Sequence, residues 1–246
     1  MKYIFPLILL VLVGCSTSGK SQLTNGRGLT ARMLYEKSKD NIKSHNYKSA
    51  ISKLESLDSR FPFGAYAEQS QLDLIYAYFQ NRDSASAISQ ADRFIRQHPR
   101  HAFVDYAYYM KGLINFTAEI GFFQEALSSK LSERDASTAR QSFKDFAVLL
   151  KKFPNSKYAN DARKRMLYLR DRLAQYEIFV ARYYMERKAY LAAVRRAKYV
   201  LEHYPRSNQN AQALSIMVTS YDILGIPTLA EKARRTLKLN YPGYPL

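Results

Sequence analysis

At five places in this chain an aromatic or histidine side chain stands directly before a proline and is preceded by a fixed pattern of residues. A small residue lies twelve positions before each proline, and an apolar residue lies five positions before it. The prolines are Pro62, Pro99, Pro154, Pro205 and Pro242; the small residues are Ala50, Ala87, Ser142, Ala193 and Ala230; the apolar residues are Leu57, Phe94, Leu149, Val200 and Leu237. Agreement at three positions in five copies predicts five units of one repeat.

Each repeat is predicted to be a pair of helices. Proline cannot continue the helical hydrogen-bond ladder, so it marks the end of the second helix, and the small residue lets the two helices cross closely. The pattern resembles the tetratricopeptide repeat, a helix pair with a period of about 34 residues. Such pairs bury their faces only against their neighbours. The sequence therefore predicts an all-α solenoid of five tetratricopeptide-like helix pairs.

The spacing of the prolines is uneven, and the long third and fourth repeats need separate explanations. Residues 157–187 contain neither Gly nor Pro and predict one long helix, whereas Gly121 predicts a break, with a loop or a short extra helix up to Ser137. The predicted helices cover residues 30–44, 47–60, 64–80, 84–97, 102–120, 138–152, 157–187, 189–203, 207–224 and 227–240.

The first 14 residues are predicted to be a secretory signal. Lys2 is followed by an apolar run that is too short to span a bilayer, which takes roughly 20 residues. The run ends in Leu12-Val13-Gly14-Cys15, which resembles the lipobox of bacterial lipoproteins. That resemblance implies a lipid on Cys15, the only cysteine, and Ser16 in place of Asp implies sorting to the outer membrane. The alternative is an ordinary secretory signal with a chance cysteine.

The rest of the chain divides into a tether and a folded array. Residues 15–29 are polar, rich in Gly and Ser, and without periodicity, which predicts a lipidated flexible tether. The folded part is predicted to comprise repeats 1 to 3 over residues 30–153 and repeats 4 and 5 over residues 154–246.

Charge and motifs favour a binding protein over an enzyme. The formal charge is +17, which could indicate binding to nucleic acid. An exported chain is separated from the chromosome, however, so acidic proteins and anionic lipids are the favoured binding partners. No phosphate-binding loop or hydrolase motif occurs. His98 and His101 flank Pro99 in a turn without further ligands, so no metal or other cofactor is predicted.

Asp73 is a carboxylate among apolar residues. One interpretation is a catalytic acid. The favoured interpretation is that Asp73 forms an ion pair with a residue of a neighbouring helix.

Basic residues are concentrated in the fourth repeat. Residues 163–198 contain eleven Lys and Arg against three acidic residues, and tyrosines are interleaved among them. A solvated helix face is the simple interpretation for any one of these residues. Because Arg and Tyr often anchor protein interfaces, the whole segment favours a protein-docking surface.

Several longer stretches resemble the BamD family, lipoproteins of the outer-membrane β-barrel assembly machinery. The resemblance covers nearly the whole chain after the signal. Lys111, where the family pattern has Arg, is a departure. The stretches are Phe61-Pro62-Phe63-Gly64, Gln71 to Phe79, Asp92 to Arg96, Asp105-Tyr106, Met110 to Leu113, Phe153 to Tyr158, and Leu169 to Glu177.

This resemblance implies a non-enzymatic scaffold on the periplasmic face of the outer membrane. Its C-terminal repeats would hold the periplasmic domains of BamA beside other Bam lipoproteins, with Arg195 and Arg196 as candidate contacts. Its N-terminal repeats would receive unfolded outer-membrane protein precursors. The candidate residues for the precursor are Tyr66, Asp73, Tyr76 and Phe79.

Two other functions are compatible with a helical array. A different repeat lipoprotein that coordinates cell-wall work would share the solenoid but not the runs around Phe61 and Gln71. A transglycosylase-like α-superhelix would need a separate catalytic domain with an acidic residue in a groove. No stretch of the chain is left over to build that domain.

The lipid anchor is testable through its one attachment atom. Replacing the thiol by a hydroxyl in Cys15→Ser should leave the precursor unlipidated and uncleaved at that site, and an inhibitor of the lipoprotein signal peptidase should block cleavage of the unmodified chain. Membrane fractionation and metabolic labelling with a radioactive fatty acid measure both effects. Normal outer-membrane anchoring of the variant would contradict the assignment.

Overall fold

The computed structural model describes residues 28–125 and 135–245, and over these ranges the chain folds into α-helices joined by short turns, without β-strands. The all-α solenoid of helix pairs is confirmed. The helices are α1 (Ala31–Lys43), α2 (Tyr47–Arg60), α3 (Ala67–Gln80), α4 (Ser84–Gln97), α5 (Val104–Glu125), α6 (Ser137–Lys152), α7 (Ala159–Glu186), α8 (Tyr190–His203), α9 (Asn210–Ile223) and α10 (Pro227–Asn240).

The repeat register is also confirmed. All five small residues twelve positions before a proline are fully buried, and the apolar residues five positions before it are at most 1% exposed. Each small residue therefore lies inside a repeat, where a larger side chain would keep the second helix away from its neighbours.

The crossing in repeat 3 is closely packed. The Ser142 hydroxyl donates to the backbone carbonyl of Gly112 at 2.9 Å, which joins α6 to α5 through their backbones. A Cβ atom on Gly112 would lie 2.5 Å from the ring of Phe146. Gly112 is thus required because the phenyl ring occupies the space that any side chain would need.

The predicted break at Gly121 is wrong. Helix α5 runs through this glycine to Glu125, because one glycine inside a helix costs only about 1 kcal/mol and apolar residues such as Phe116 and Ile120 pack against the core just before it. A loop or short extra helix is predicted up to Ser137, and residues 126–134 of that segment lie outside the described ranges.

The folded part begins slightly earlier than predicted. Leu29, placed at the end of the tether, is 4% exposed and packs against Leu34 and Leu57. Its carbonyl accepts a hydrogen bond from Arg60 at 3.1 Å. Leu29 therefore belongs to repeat 1 and not to the predicted tether.

The helices form two layers. Consecutive helices pack against each other along the chain, and the first helices of successive repeats also touch in the pairs α3–α5, α5–α7 and α7–α9. Because the first helices approach one another closely, they form the inner side of the curved array, and the second helices form the outer side.

The turn inside a repeat uses a left-handed residue. Gly225, seventeen positions before Pro242, has a φ of +69°, and the equivalent residues His45, Arg82 and Lys188 have φ values of 58°, 63° and 60°. A side chain in this conformation is strained because Cβ approaches the backbone, and only glycine avoids that strain. Three repeats thus carry a strained residue where the fifth has glycine.

Glycine at these turns should stabilise the array. Lys188→Gly should raise the free energy of unfolding by about 1 kcal/mol, since the left-handed backbone no longer strains a side chain. Gly225→Ala should lower it by a similar amount; nothing lies within 4 Å of the added Cβ, so only the backbone is affected. Urea denaturation followed by circular dichroism measures both. A less stable Lys188→Gly would show that the lysine side chain maintains the turn.

Candidate partner-binding sites

An open groove lies on the inner side of the array, where α3, α5 and α7 come together. Its volume is about 250 Å³. The residues that line it come from three repeats and combine aromatic rings with a few polar groups. They are Gln69, Leu72, Asp73, Tyr76, Phe103, Tyr106, Lys157 and Tyr158.

One face of α3 forms a wall of the groove. Gln69, Leu72, Asp73 and Tyr76 are spaced three and four residues apart, which places them on one side of a helix. The Asp73 carboxylate accepts a hydrogen bond from Gln69 at 3.1 Å and lies 3.1 Å from the Lys39 ammonium group of α1. Asp73 is therefore held in place by an ion pair with a neighbouring helix, as the favoured reading of the sequence predicted.

The other walls begin at the starts of α5 and α7. Phe103 and Tyr158 each lie four residues after a proline, and Tyr66 occupies the same position before α3. The Lys157 ammonium group lies 5.9 Å from the Phe103 ring centre and 5.0 Å from that of Tyr158. This lysine adds a positive charge to a largely aromatic surface, opposite the carboxylate of Asp73.

Tyrosine hydroxyls in and beside the groove are hydrogen-bond donors at neutral pH. Burial, with Asp73 and Tyr66 nearby, raises the pKa of Tyr35 to about 12. Burial also raises the pKa of Tyr106, with further contributions from Tyr158 and Asp73. Both hydroxyls therefore stay protonated; Tyr35 interacts with Asp73, and Tyr106 gives the groove lining a hydrogen-bond donor.

The structure brings together three of the four residues predicted to contact a precursor. Asp73 and Tyr76 line the groove, and Tyr66 lies beside it with its ring 5.0 Å from that of Tyr35. Phe79 packs instead against the core cluster that contains Leu72 and Phe94, outside the groove lining.

Sequence reasoning missed the half of the groove that comes from later repeats. Phe103, Tyr106, Lys157 and Tyr158 were not selected, although an aromatic residue four positions after three successive prolines was a visible signal. The groove also crosses the predicted boundary between residues 30–153 and 154–246, because Lys157 and Tyr158 belong to repeat 4.

A second site centres on a buried carboxylate between α6, α7 and α8. The Glu177 side chain is 4% exposed; Arg196 donates to it at 3.0 Å, and Arg140 lies 3.9 Å away. Burial works against the charge on Arg196, but the bonds to Glu177 outweigh it and raise the pKa of Arg196. Arg196 thus has a partner inside the chain, yet its side chain is still 44% exposed.

Arg195 differs from its neighbour. It is exposed, and no carboxylate in residues 28–125 or 135–245 lies within salt-bridge distance of it. Successive residues on a helix point about 100° apart. The two arginines therefore face different directions, with Arg196 directed to Glu177 and Arg195 to the outer side.

The histidines in the turn before α5 bind a side chain. The Glu68 carboxylate lies 3.4 Å from His98 Nδ1 and 3.2 Å from His101 Nε2. The backbone N–H of Phe103 donates to His101 Nδ1 at 3.1 Å, so Nε2 carries the hydrogen that faces Glu68. In the described part of the chain, no group of three or more potential ligands is arranged to hold a metal ion.

The predicted lipid-attachment residue, Cys15, lies outside the described residues. Among the helices that are described, none combines the length and the hydropathy needed to cross a membrane.

The fold and the groove define a class of protein: a tetratricopeptide-like helical-repeat protein, whose extended surfaces bind other chains. Comparison with known sequences makes this more specific. The YfiO family, described as outer membrane lipoprotein, matches residues 28–237. The chain is 40% identical over 240 residues to the outer membrane protein assembly factor BamD of Neisseria meningitidis serogroup A, covering 96% of this chain and 89% of that protein.

Two further relatives have the same name. The BamD protein of Vibrio cholerae is 37% identical over 234 residues, with 95% of each chain covered. That of Haemophilus influenzae is 32% identical over 230 residues, covering 94% of this chain and 86% of the relative. The chain belongs to the BamD family of outer membrane protein assembly factors, which places it at the outer membrane.

The Glu177–Arg196 pair can be tested by folding measurements. Arg196→Gln should lower the free energy of unfolding by about 1–3 kcal/mol, because a buried carboxylate loses its closest charged donor. The double variant Glu177→Gln/Arg196→Gln should recover most of that loss, since neither neutral amide leaves a charge unpaired. Arg195→Gln is the matched control and should change stability by less than about 0.5 kcal/mol. Equal effects of both single variants would contradict the pairing.

Proposed function

We propose that the chain is a non-enzymatic scaffold of the β-barrel assembly complex, anchored through a lipid on Cys15 and facing the periplasm. It binds unfolded barrel precursors in the inner groove and the periplasmic domains of BamA, beside other Bam lipoproteins, through repeats 4 and 5. The observation that supports this best is the separation of two chemically different surfaces. The aromatic groove lies on the first helices, whereas Arg196 lies on a second helix.

The groove suits an extended segment of a barrel precursor. Strands of membrane barrels alternate apolar and polar residues and carry aromatic girdles near both membrane interfaces. The apolar side chains of such a strand would contact Tyr76, Phe103 and Tyr158. Its polar groups would find a carboxylate at Asp73 and a donor at Tyr106. This combination favours an unfolded amphipathic segment over a uniformly apolar one.

The surface around Arg196 suits a folded acidic partner. Glu177 fixes the orientation of the guanidinium group, which has five N–H donors and uses only part of them on this carboxylate. Its exposed edge is therefore available for a carboxylate from BamA, and little side-chain entropy is lost on binding. Arg195 is the second candidate, on a surface turned about 100° away.

Precursor binding is testable with a synthetic barrel-strand peptide. We expect Phe103→Ala to weaken binding of an alternating apolar–polar peptide by roughly tenfold, because one aromatic contact of the groove is lost. Phe63→Ala is the matched control; Phe63 is 90% exposed and lies outside the groove. Fluorescence anisotropy of a labelled peptide measures both affinities.

A scrambled peptide of the same composition tests whether alternation matters. It should bind more weakly than the alternating peptide to the unmodified chain and should be indifferent to Phe103→Ala. If Phe103→Ala and Phe63→Ala weaken binding equally, or if neither does, the groove is not the precursor site.

A further inference from the structure

The charge on the outer side of the array changes between repeats 2 and 3, from nearly neutral to strongly positive. The position ten residues before each proline is exposed in all five repeats. It holds serine in the first two repeats, Ser52 and Ser89, and a basic residue in the last three. These three residues, Lys144, Arg195 and Lys232, lie on α6, α8 and α10, and we name them the basic ladder.

Neighbouring outward positions follow the same division. Positions fourteen, ten, seven and three residues before a proline share one side of the second helix. In repeats 1 and 2 they hold two basic and two acidic residues, which cancel. In repeats 3 to 5 they hold seven basic residues and one acidic residue, a net charge of +6. The acidic one, Glu202, lies 3.3 Å from Lys198.

Exposed apolar side chains accompany the positive charge. Val148, Leu191 and Leu239 are 40%, 53% and 75% exposed and lie on α6, α8 and α10. On α2 and α4 no large apolar side chain is comparably exposed. Basic and aliphatic groups alternating on one surface are typical of proteins that dock on anionic membranes.

We propose that the basic ladder and the aliphatic residues beside it dock the outer side of repeats 3 to 5 on an acidic phospholipid surface. Three features favour lipid over an acidic protein. The charges are spread over three helices, two of the three ladder residues are flexible lysines that act as point charges, and a tether of some fourteen residues would keep the membrane within roughly 50 Å.

Docking in this way would orient the whole array. The tether holds repeat 1, and the basic ladder would hold the opposite end, so the solenoid would lie along the membrane. The inner groove, on the first helices, would then face away from the lipid. This inference goes beyond the scaffold function, and its argument from the tether rests on the lipid anchor proposed above.

Vesicle binding tests the proposal. The mature chain, residues 15–246 with Cys15→Ser so that no acyl chain contributes, is mixed with phosphatidylcholine vesicles that contain one third phosphatidylglycerol. We expect binding that weakens with salt and is absent from pure phosphatidylcholine. Lys144→Ser/Arg195→Ser/Lys232→Ser should lower the partition coefficient roughly a hundredfold, since each basic residue near such a surface contributes roughly a fivefold factor.

Two variants act as controls. Lys37→Ser/Arg100→Ser/Lys164→Ser removes the same charge from exposed positions outside the basic ladder and should retain most of the binding. Ser52→Lys/Ser89→Lys extends the basic ladder into repeats 1 and 2 and should strengthen it. Circular dichroism checks folding of every variant.

Three results would overturn the proposal. One is the absence of binding to acidic vesicles, and another is an equal loss in the two triple variants. The third is a ladder variant that binds vesicles normally but loses the periplasmic domains of BamA, which would assign this surface to an acidic protein.

Discussion

Each repeat of this chain depends on one close helix crossing, at a residue with almost no side chain. The five small residues twelve positions before proline are fully buried, and a larger side chain at any of them would force the second helix outward. In repeat 3 the crossing also needs Gly112, because the ring of Phe146 fills the space beside it. The two helices of each repeat are close together at this crossing. The first helices of successive repeats also touch, in the pairs α3–α5, α5–α7 and α7–α9, and so share one inner surface.

That inner surface determines where binding chemistry can form. An aromatic residue four positions after a proline directly precedes α3, α5 and α7, and close packing of these helices brings two of the three, Phe103 and Tyr158, into one groove. The outer side is built from second helices, whose exposed positions do not affect the core. Charge can therefore change from repeat to repeat there without cost to the fold, which is how Ser89 and Lys144 occupy equivalent positions.

The sequence predicted the fold well because the repeat imposes the same constraint five times. From the proline and the small residue before it, the sequence predicted the first and last residues of α2, α4 and α10 as they are observed. The prediction of a helix end at Gly121 was wrong, because packing against the core outweighs the low helix propensity of one glycine. The groove was only half predicted, because its second wall comes from residues 27 to 89 positions away from Tyr76 and Gln69 in the chain. The Glu177–Arg196 pair was not foreseen either, since nothing local shows which arginine faces a buried carboxylate.

The central claim is that one helical array holds two different partners at separate surfaces at the same time. Its most direct test is a titration of a labelled barrel-strand peptide into the chain alone and into the chain saturated with purified periplasmic domains of BamA. Separate surfaces predict the same peptide affinity in both titrations, and light scattering should give the mass of a complex with one copy of each component. Displacement of the peptide by BamA would contradict the account, because the two partners would then share one site.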